Sequence, residues 1–508
     1  MERRIILAIA LALLVMLGWS KLVSKFYPID QQIVTEKKSP NIPFIPATPV
    51  ESPALASETS PPSFIQFTQE KQETIFLESQ AAIKEVIFKD YGAYKFPLEY
   101  GFLFKDKSLI FKKDESADPS GVTFVYRDQE KQIIKRFLFS NTNYSIELEI
   151  EARNLSAAPI TIGLDLVLGT LSFSGDQAQA RFQAVTVGLP DKTLHPNARK
   201  DAGFNAVRFL SLQDRYFCAI IEPEGNHWTG VIKKIAPQSS EISLVAEGLS
   251  LAPGEQRKEV FHIYLGPQDL KLINSVKPHW SAVMYFGTFD IISHFILKLL
   301  EIIYAAVHSW GVAIIILSIL IYFVLYPLSL KQMRSMKQMQ TLQPQLEELK
   351  RTYKDNPQKL NKATMELYRQ NRVNPFSGCL PMVLQIPIFF ALYQALIRSL
   401  ALKGASFLWI KDLSEPDRLL LIPWHLPILG NEINLLPILM TIGMFIQQKI
   451  STATTAASSS AEQQKLMMII FPLMFGFIFY HMPAGLVLYW FINSTLMLIY
   501  QFRMTRAK

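Results

Sequence analysis

Hydrophobic and polar positions change their spacing several times along this chain, and each change marks a boundary. A continuous apolar run, Ile5 to Gly18, follows Arg3 and Arg4, the pattern of either a signal peptide or a retained signal anchor. Trp19, Lys21 and Lys25 resemble the flank of a retained helix, so residues 1–22 are read as an anchor. Residues 23–63 hold Pro40, Pro43, Pro46, Pro49, Pro53, Pro61 and Pro62 among Ser, Thr and Ala, too few apolar groups for a core, and form an extended linker. From 64 to 275 the period becomes two. Tyr144, Ile146, Leu148 and Ile150 alternate with Ser145, Glu147, Glu149 and Glu151, which predicts strands with one face inward and one in water. Gly121–Tyr126, Ile160–Leu168 and Val260–Leu265 repeat the signal between turn residues, and a β-sandwich fits best.

Helical spacing returns at 278–308. Asp290, His294, Lys298 and Glu301 fall on one side, and Ile291, Ile292, Phe295, Leu299 and Ile303 on the other, which predicts a helix lying in a membrane interface. Trp280, Tyr285, Tyr304 and Trp310 are the aromatic residues expected at headgroup depth. Five apolar runs follow, and the predicted spans are 309–330, 379–402, 431–450, 465–482 and 484–503, joined by loops at 403–430 and 451–464. Several of the runs fall short of the roughly 20 residues that cross an average bilayer, so their ends extend into polar flanks or the membrane thins around them. Between the first two spans, residues 331–376 carry Met333, Met336, Met339, Leu342, Leu346 and Leu349 at helical spacing, a break at Asp355–Pro357, and renewed helicity through Leu360 and Leu367. This predicts a helical hairpin.

Charge adds the orientation. Residues 331–375 hold ten Lys or Arg against four Asp or Glu, and the tail 504–508 adds Arg506 and Lys508 beyond Arg503, so both belong on the cytoplasmic side. Six spans with both termini inside satisfy every loop and put residues 23–308 in a periplasm. Overall, 51 Lys and Arg against 43 Asp and Glu give +8, and in a chain of several spans topology explains such an excess. Half the residues are hydrophobic (49%) and the mean hydropathy is +0.18, too apolar for an ordinary soluble domain. Two cysteines, Cys218 and Cys379, exclude a disulfide framework and a Cys/His metal cluster, and both are read as small buried residues. No cofactor and no metal site is expected, and no catalytic residue: His195, His227 and His262 are scattered without a local acid–base motif.

The last two hundred residues resemble the YidC/Oxa/Alb membrane protein insertases. The resemblance is carried by Tyr326-Pro327-Leu328, Leu342-Gln343-Pro344, Val373-Asn374-Pro375 through Gly378-Cys379-Leu380-Pro381, and Gln385-Ile386-Pro387-Ile388-Phe389. Leu408-Trp409-Ile410 with Asp412-Leu413, and Pro483 through Trp490, complete it. Ordered matches across separate helices and loops are more specific than one short pattern. It implies an α-helical polytopic bundle of six helices, five forming the insertase core, with a periplasmic all-β supersandwich. It implies a non-enzymatic function: inserting and helping to fold membrane proteins in the bacterial inner membrane, alone or with the Sec translocon, through a polar groove open to cytoplasm and lipid. The implied partners are nascent membrane proteins, Sec components, membrane lipids and, through the basic loops, the ribosome.

Candidate groove residues are the polar ones inside apolar runs: Ser318, Tyr322, Gln385, Gln394, Gln447, Asn493 and the Trp490 indole, with Ser318, Tyr322, Gln385, Trp490 and Asn493 as the chosen set. Ser, Gln and Asn in membrane helices equally serve as interhelical hydrogen bonds. Phe389 and Phe390 are candidates for an apolar slide, against plain packing, and Met333, Met336 and Met339 for a contact surface on the hairpin, against a packed seam. Family members usually carry an arginine in the groove five positions before the proline matched to Pro327, where this chain has Tyr322. Arg398, about 28 Å along a helix from Cys379, is no replacement and is expected to snorkel at the outer surface. A transporter or channel is the rival reading, since polar residues in apolar runs also mark permeation paths, but internal repeats and intramembrane ion pairs are not seen.

Overall fold

The computed structural model describes residues 62–506, apart from 117–119, 174–179, 226, 247, 355, 372–379, 427–429 and 454–460. The predicted anchor, nearly all of the linker, Cys379 and the 451–464 loop beyond Ala453 therefore lie wholly or mainly outside the described residues.

The alternation read along 144–151 becomes a strand, Ser145–Asn154, whose inward residues Ile146, Leu148 and Ile150 are fully or almost fully buried. It sits inside a nine-stranded antiparallel sheet. The spatial order is 193–194, 184–188, 209–213, 217–223, 256–267, 145–154, 131–139, 121–127 and 112–113. Against this sheet pack a five-stranded sheet (202–204, 229–236, 239–245, 166–172 and 103–104) and a four-stranded meander running from Phe64 to Gly101. One core joins all three. Phe76 of the meander meets Phe124 and Phe137 of the large sheet at ring-centroid distances of 5.5 and 5.1 Å. On the outer face Glu149 and Glu151 accept from Arg136 and Lys258, so the solvent-facing alternates pair across strands.

Helix α1 (Leu270–Val276) starts at Asp269, whose carboxylate caps the Lys271 and Leu272 N–H groups. A 3-10 turn over Pro278–Val283 leads to α2 (Asp290–Val307). The turn is tied to the sandwich by Glu222, which accepts from Trp280 Nε1 (2.6 Å), His279 Nε2 (2.5 Å) and Lys277 Nζ (2.9 Å). Burial alone would raise the Glu222 carboxyl, but these three donors outweigh it and hold it below the usual range.

The bundle comprises α3 (Trp310–Thr341), α4 (Gln343–Thr352), α5 (Pro357–Gln370), α6 (Leu380–Arg398), α7 (Leu435–Ala453), α8 (Ala461–Tyr480) and α9 (Ala484–Arg506). Within α3 the segment Trp310–Leu330, and within α9 Ala484–Arg503, are long and apolar enough to cross a membrane; Leu435–Ile450 and Ile469–Tyr480 are shorter apolar segments. The boundary read at residue 330 is not a break, since α3 runs on through Pro327 to Thr341. The backbone of Met333, Met336 and Met339 therefore continues α3, while their side chains lie outside the described residues. The helix is interrupted between α4 and α5 at the place read from Asp355–Pro357, with Asn356 capping α5 through the Lys359 N–H.

α2 is amphipathic in a different register from the one read in sequence. Its packed face is Ser293, Ile296 and Leu300, set against α6, and Ser293 Oγ donates to the Ala391 carbonyl at 3.0 Å. Ile291, Phe295 and Ile302 stand exposed on another side. The helix has two apolar faces, one against the bundle and one open, and a sequence period alone merges them.

Candidate functional site

α3 packs along α9, α6 touches both over a shorter stretch, and α9 also packs on α7. Packing of apolar side chains dominates the meeting: Ala313, Ile314, Leu317, Ala391, Leu392, Ala395 and Leu396 are buried with Leu486, Val487 and Tyr489. A polar side chain here has only a neighbouring helix or its own backbone as partner, because leaving it unpaired away from water costs several kcal/mol.

Gln385 takes the first option. Its Nε2 donates to the Tyr489 hydroxyl at 2.5 Å, linking α6 to α9, and Tyr489 is fully buried. Ser318 and Asn493 take the second. Ser318 Oγ donates to the Ile314 carbonyl (2.7 Å) and Asn493 Nδ2 to the Tyr489 carbonyl (3.0 Å), each four residues back in its own helix. Ser318 is fully buried, so its hydroxyl faces packed side chains rather than an opening. Gln394 and Gln447 are half-buried.

Tyr322 is half-buried on α3, with its ring 6.1 Å from those of both Phe323 and Tyr326; Tyr326 in turn lies 5.6 Å from Tyr500 of α9. Aromatic rings thus occupy the α3–α9 seam at this level. Trp490 sits in a second aromatic group, 5.3 Å from Phe389, 5.9 Å from Phe475 and 5.2 Å from Phe479. Phe389 also meets Phe390 (5.5 Å), and Phe390 stacks on Phe289 before α2. The structure therefore brings Phe389, Phe390 and Trp490 together, links Gln385 to the residue before Trp490, and leaves Ser318 satisfied within its own helix.

Four participants escaped the sequence reading. Tyr489 lay within the stretch Pro483–Trp490 but carried no marker beyond its neighbours, and Phe475 and Phe479 were indistinguishable from lipid-facing aromatics in an apolar run. The fourth, Arg215, has no local signal. It is buried at the end of the sandwich, donating from Nε to the Ile397 carbonyl (2.7 Å), from Nη2 to the Ser414 carbonyl (2.8 Å) and from Nη1 to Glu415 Oε1 (2.8 Å). Beside it Tyr216 donates to Ser414 Oγ (3.2 Å), Tyr94 to Asp214 (2.8 Å), and Lys403 sits over the Tyr94 ring at 3.9 Å. Burial pushes the Asp214 carboxyl up and the Lys403 ammonium down.

Arg398 belongs to the same joint. Expected to snorkel toward headgroups, it instead donates to the Tyr285 carbonyl at 3.2 Å, with its guanidinium 5.7 Å from the Phe182 ring centroid, so it turns toward the sandwich. The histidines of the sandwich meet separate partners: His195 with Thr186 and the Tyr285 ring, His227 with Glu259, and His262 with Glu224. Among the described residues no group of three His, Cys, Asp or Glu is placed to hold a metal. Cys218 is buried, and burial pushes its thiol up.

Residues 302–508 match the family described as 60Kd inner membrane protein, and residues 84–299 match the YidC periplasmic domain. The membrane protein insertase YidC of Pelobacter propionicus is 30% identical over 552 aligned residues, which cover 98% of this chain and 97% of that protein. The insertase of the same name from Geotalea daltonii is 31% identical, covering 78% and 74%. A solved structure of an active YidC insertase with its first transmembrane domain resolved aligns over 86% of this chain and 92% of its own, at 20% identity and a TM-score of 0.42.

Proposed function

The chain belongs to the YidC family of membrane protein insertases, and from that premise we propose that it inserts membrane proteins by sheltering their polar parts at a hydrogen-bonding seam among α3, α6 and α9. The observation that carries this reading is the Gln385–Tyr489 hydrogen bond, set beside the half-buried Tyr322 in an otherwise apolar bundle. A polar group crossing hydrocarbon costs several kcal/mol until it finds water or a partner. Groups that exchange their own hydrogen bonds for bonds to a passing segment shorten the unsolvated distance, and no bond need be made or broken. Phe389, Phe390 and Trp490 would offer the apolar part of the same segment a flat aromatic surface.

In this reading the bundle crosses the inner membrane several times with both termini cytoplasmic, and the sandwich stands in the periplasm. The lysine- and arginine-rich stretch 331–376 faces the cytoplasm, where Met333, Met336 and Met339 would meet the emerging substrate and the basic side chains would meet a ribosome. The joint side of the sandwich would serve Sec components. Tyr322 donates a hydrogen bond but exerts no charge attraction, so acidic substrate tails gain nothing from it. The transporter reading is not favoured, since the full-length relatives are insertases.

The test is insertion of a single-span substrate in insertase-depleted bacteria. The natural chain restores insertion. Tyr322→Ala lowers it by about fivefold, the equivalent of one hydrogen bond worth about 1 kcal/mol, and Tyr322→Arg raises it only for substrates with acidic tails. Failure of the natural chain, when expressed and membrane-inserted, would overturn the proposal. An unchanged Tyr322→Ala would remove Tyr322 from the seam.

A further inference from the structure

The segment between α6 and α7 folds into a two-stranded antiparallel hairpin, Leu420–Leu426 against Gly430–Ile433, with Leu420 opposite Ile433 and Leu421 opposite Glu432. Successive residues of a strand face opposite sides. Even so, Leu420 and Leu421 are both open, 57% and 69% exposed, and Trp424 is 64% exposed. Apolar side chains on both faces of the Leu420–Leu426 strand are therefore uncovered by the rest of the described chain, while Glu432 on the second strand is paired with Arg418. An isolated two-stranded hairpin is marginal in water, and an open apolar edge invites aggregation.

The root of this hairpin is firmly held. Asn434 Nδ2 donates to the Tyr480 carbonyl (2.8 Å), the Arg418 N–H to Asn434 Oδ1 (2.9 Å), the Leu436 N–H to Asp417 Oδ2 (2.9 Å) and the Tyr480 hydroxyl to the Glu432 carbonyl (2.7 Å). These bonds fix the ribbon at the depth where α7 begins and α8 ends. The apolar segment of α7, Leu435–Ile450, covers about 24 Å at 1.5 Å per residue, short of a hydrocarbon core roughly 30 Å thick. On that helix Ile438, Ile442 and Ile446 form an open stripe at a spacing of four. The hairpin adds exposed apolar side chains just beyond the end of this stripe, and Trp424 is the residue type that the headgroup boundary favours.

We infer that the strands Leu420–Leu426 and Gly430–Ile433 are seated in the lipid bilayer, in the leaflet nearer the sandwich, where Leu420, Leu421 and Trp424 extend the apolar belt that α7 leaves short. The inference rests on the inner-membrane placement in the reading above. Lipid is the occupant because the first strand bears open apolar side chains on both faces and the second leads directly into α7 with its open stripe. Its root carries the charges that belong at headgroup level, Arg418 and Glu432, paired at 2.9 Å. The mismatch at α7 is thereby relieved by an added apolar element as well as by bilayer thinning.

The experiment places a polarity-sensitive fluorophore on a single cysteine in the full chain, with Cys379→Ser and the buried Cys218 retained. The labelled variants are Leu421→Cys, Ile442→Cys on the α7 stripe and Lys192→Cys on the sandwich surface, each reconstituted in phosphatidylethanolamine–phosphatidylglycerol vesicles with no other protein. The expected result is blue-shifted emission at 421 that lipid-borne nitroxide quenches and aqueous iodide does not, as at 442 and unlike 192. Iodide quenching with water-like emission at 421, while 442 is quenched from the lipid, would overturn the hairpin's placement and leave a protein partner as its cover. Aqueous behaviour at 442 as well would overturn the membrane placement of α7 itself.

Discussion

Lys135 is the least expected side chain in the sandwich. It occupies an inward position of its strand between the buried Ile133 and Phe137, is itself fully buried, and donates to the Ala81 and Phe102 carbonyls, with the Phe104 and Phe137 rings 5.0 and 5.2 Å away. Ala81 and Phe102 both adopt the left-handed backbone (φ 46° and 63°), a conformation that residues other than glycine seldom hold, and the lysine is what their carbonyls bond. Burial pushes the ammonium well below the ordinary lysine value of 10.5. A group depressed in the folded state contributes stability that is present above its unfolded value and lost as pH falls through its folded one, because the unfolded chain then binds the extra proton in between. Folding stability should therefore rise with pH up to about 10.5, by as much as about 1.4 kcal/mol per pH unit. Lys135→Met should lack that rise and be the less stable of the two at the alkaline end, where it has left two carbonyls without a donor. Denaturation of the full chain in detergent across an alkaline pH series checks this, and parallel curves for the two proteins would show the lysine to be charged when folded. At this scale sequence showed polar residues but not their partners. Ser318 and Asn493 read as groove candidates and are satisfied by carbonyls four residues back, whereas Gln385 finds a residue 104 positions away.

Elements were more legible because they obey short-range periods. The alternation of Ser145–Asn154 is reproduced residue by residue in its burial, since a strand leaves each side chain only two faces to choose between. Helical stripes are less decisive, as α2 shows: two apolar faces at different angles share one 3.6-residue period, and only the neighbours, α3 and α6, decide which is packed. Helix ends are weaker still. The predicted span ended at 330, but α3 runs through Pro327 and continues to Thr341. Close approach between helices is also invisible in a single sequence. A side-chain carbon at Gly476 of α8 would lie 2.2 Å from Thr441 Oγ1 of α7, whose hydroxyl already donates to the Pro437 carbonyl. Gly476→Ala should therefore force α7 and α8 apart and destabilise the bundle by about 1–3 kcal/mol, the usual penalty for overpacking. Adding Thr441→Ala removes the obstructing atom and should recover most of the loss, a coupling that thermal unfolding of the two single variants and the double variant measures. Additive effects would mean that the contact is looser than the geometry gives.

In the whole molecule the decisive contact joins elements that sequence separates by about two hundred positions. Arg215 lies at the edge of the sandwich, and its three donors end on Ile397, Ser414 and Glu415. The sandwich and the bundle each follow from their own patterns, yet nothing in either pattern fixes how one is set on the other. A planar guanidinium suits the task because its donors diverge in one plane and reach two carbonyls and a carboxylate together. Arg215→Ala would leave the Ile397 and Ser414 carbonyls without those donors and Glu415 without its closest cation, a loss on the order of 3 kcal/mol at the joint. Arg215→Lys keeps the charge but not the fork, and should fall between. If the joint transmits stability, the natural chain unfolds its sandwich and bundle in one transition, and Arg215→Ala separates them into two. Loss of the sheet and of the helix amide bands in the infrared, followed on the same sample, distinguishes these outcomes. Coincident curves for Arg215→Ala would assign the joint instead to its remaining polar contacts, among them Tyr216 with Ser414, Glu222 with Trp280 and Arg398 with Tyr285.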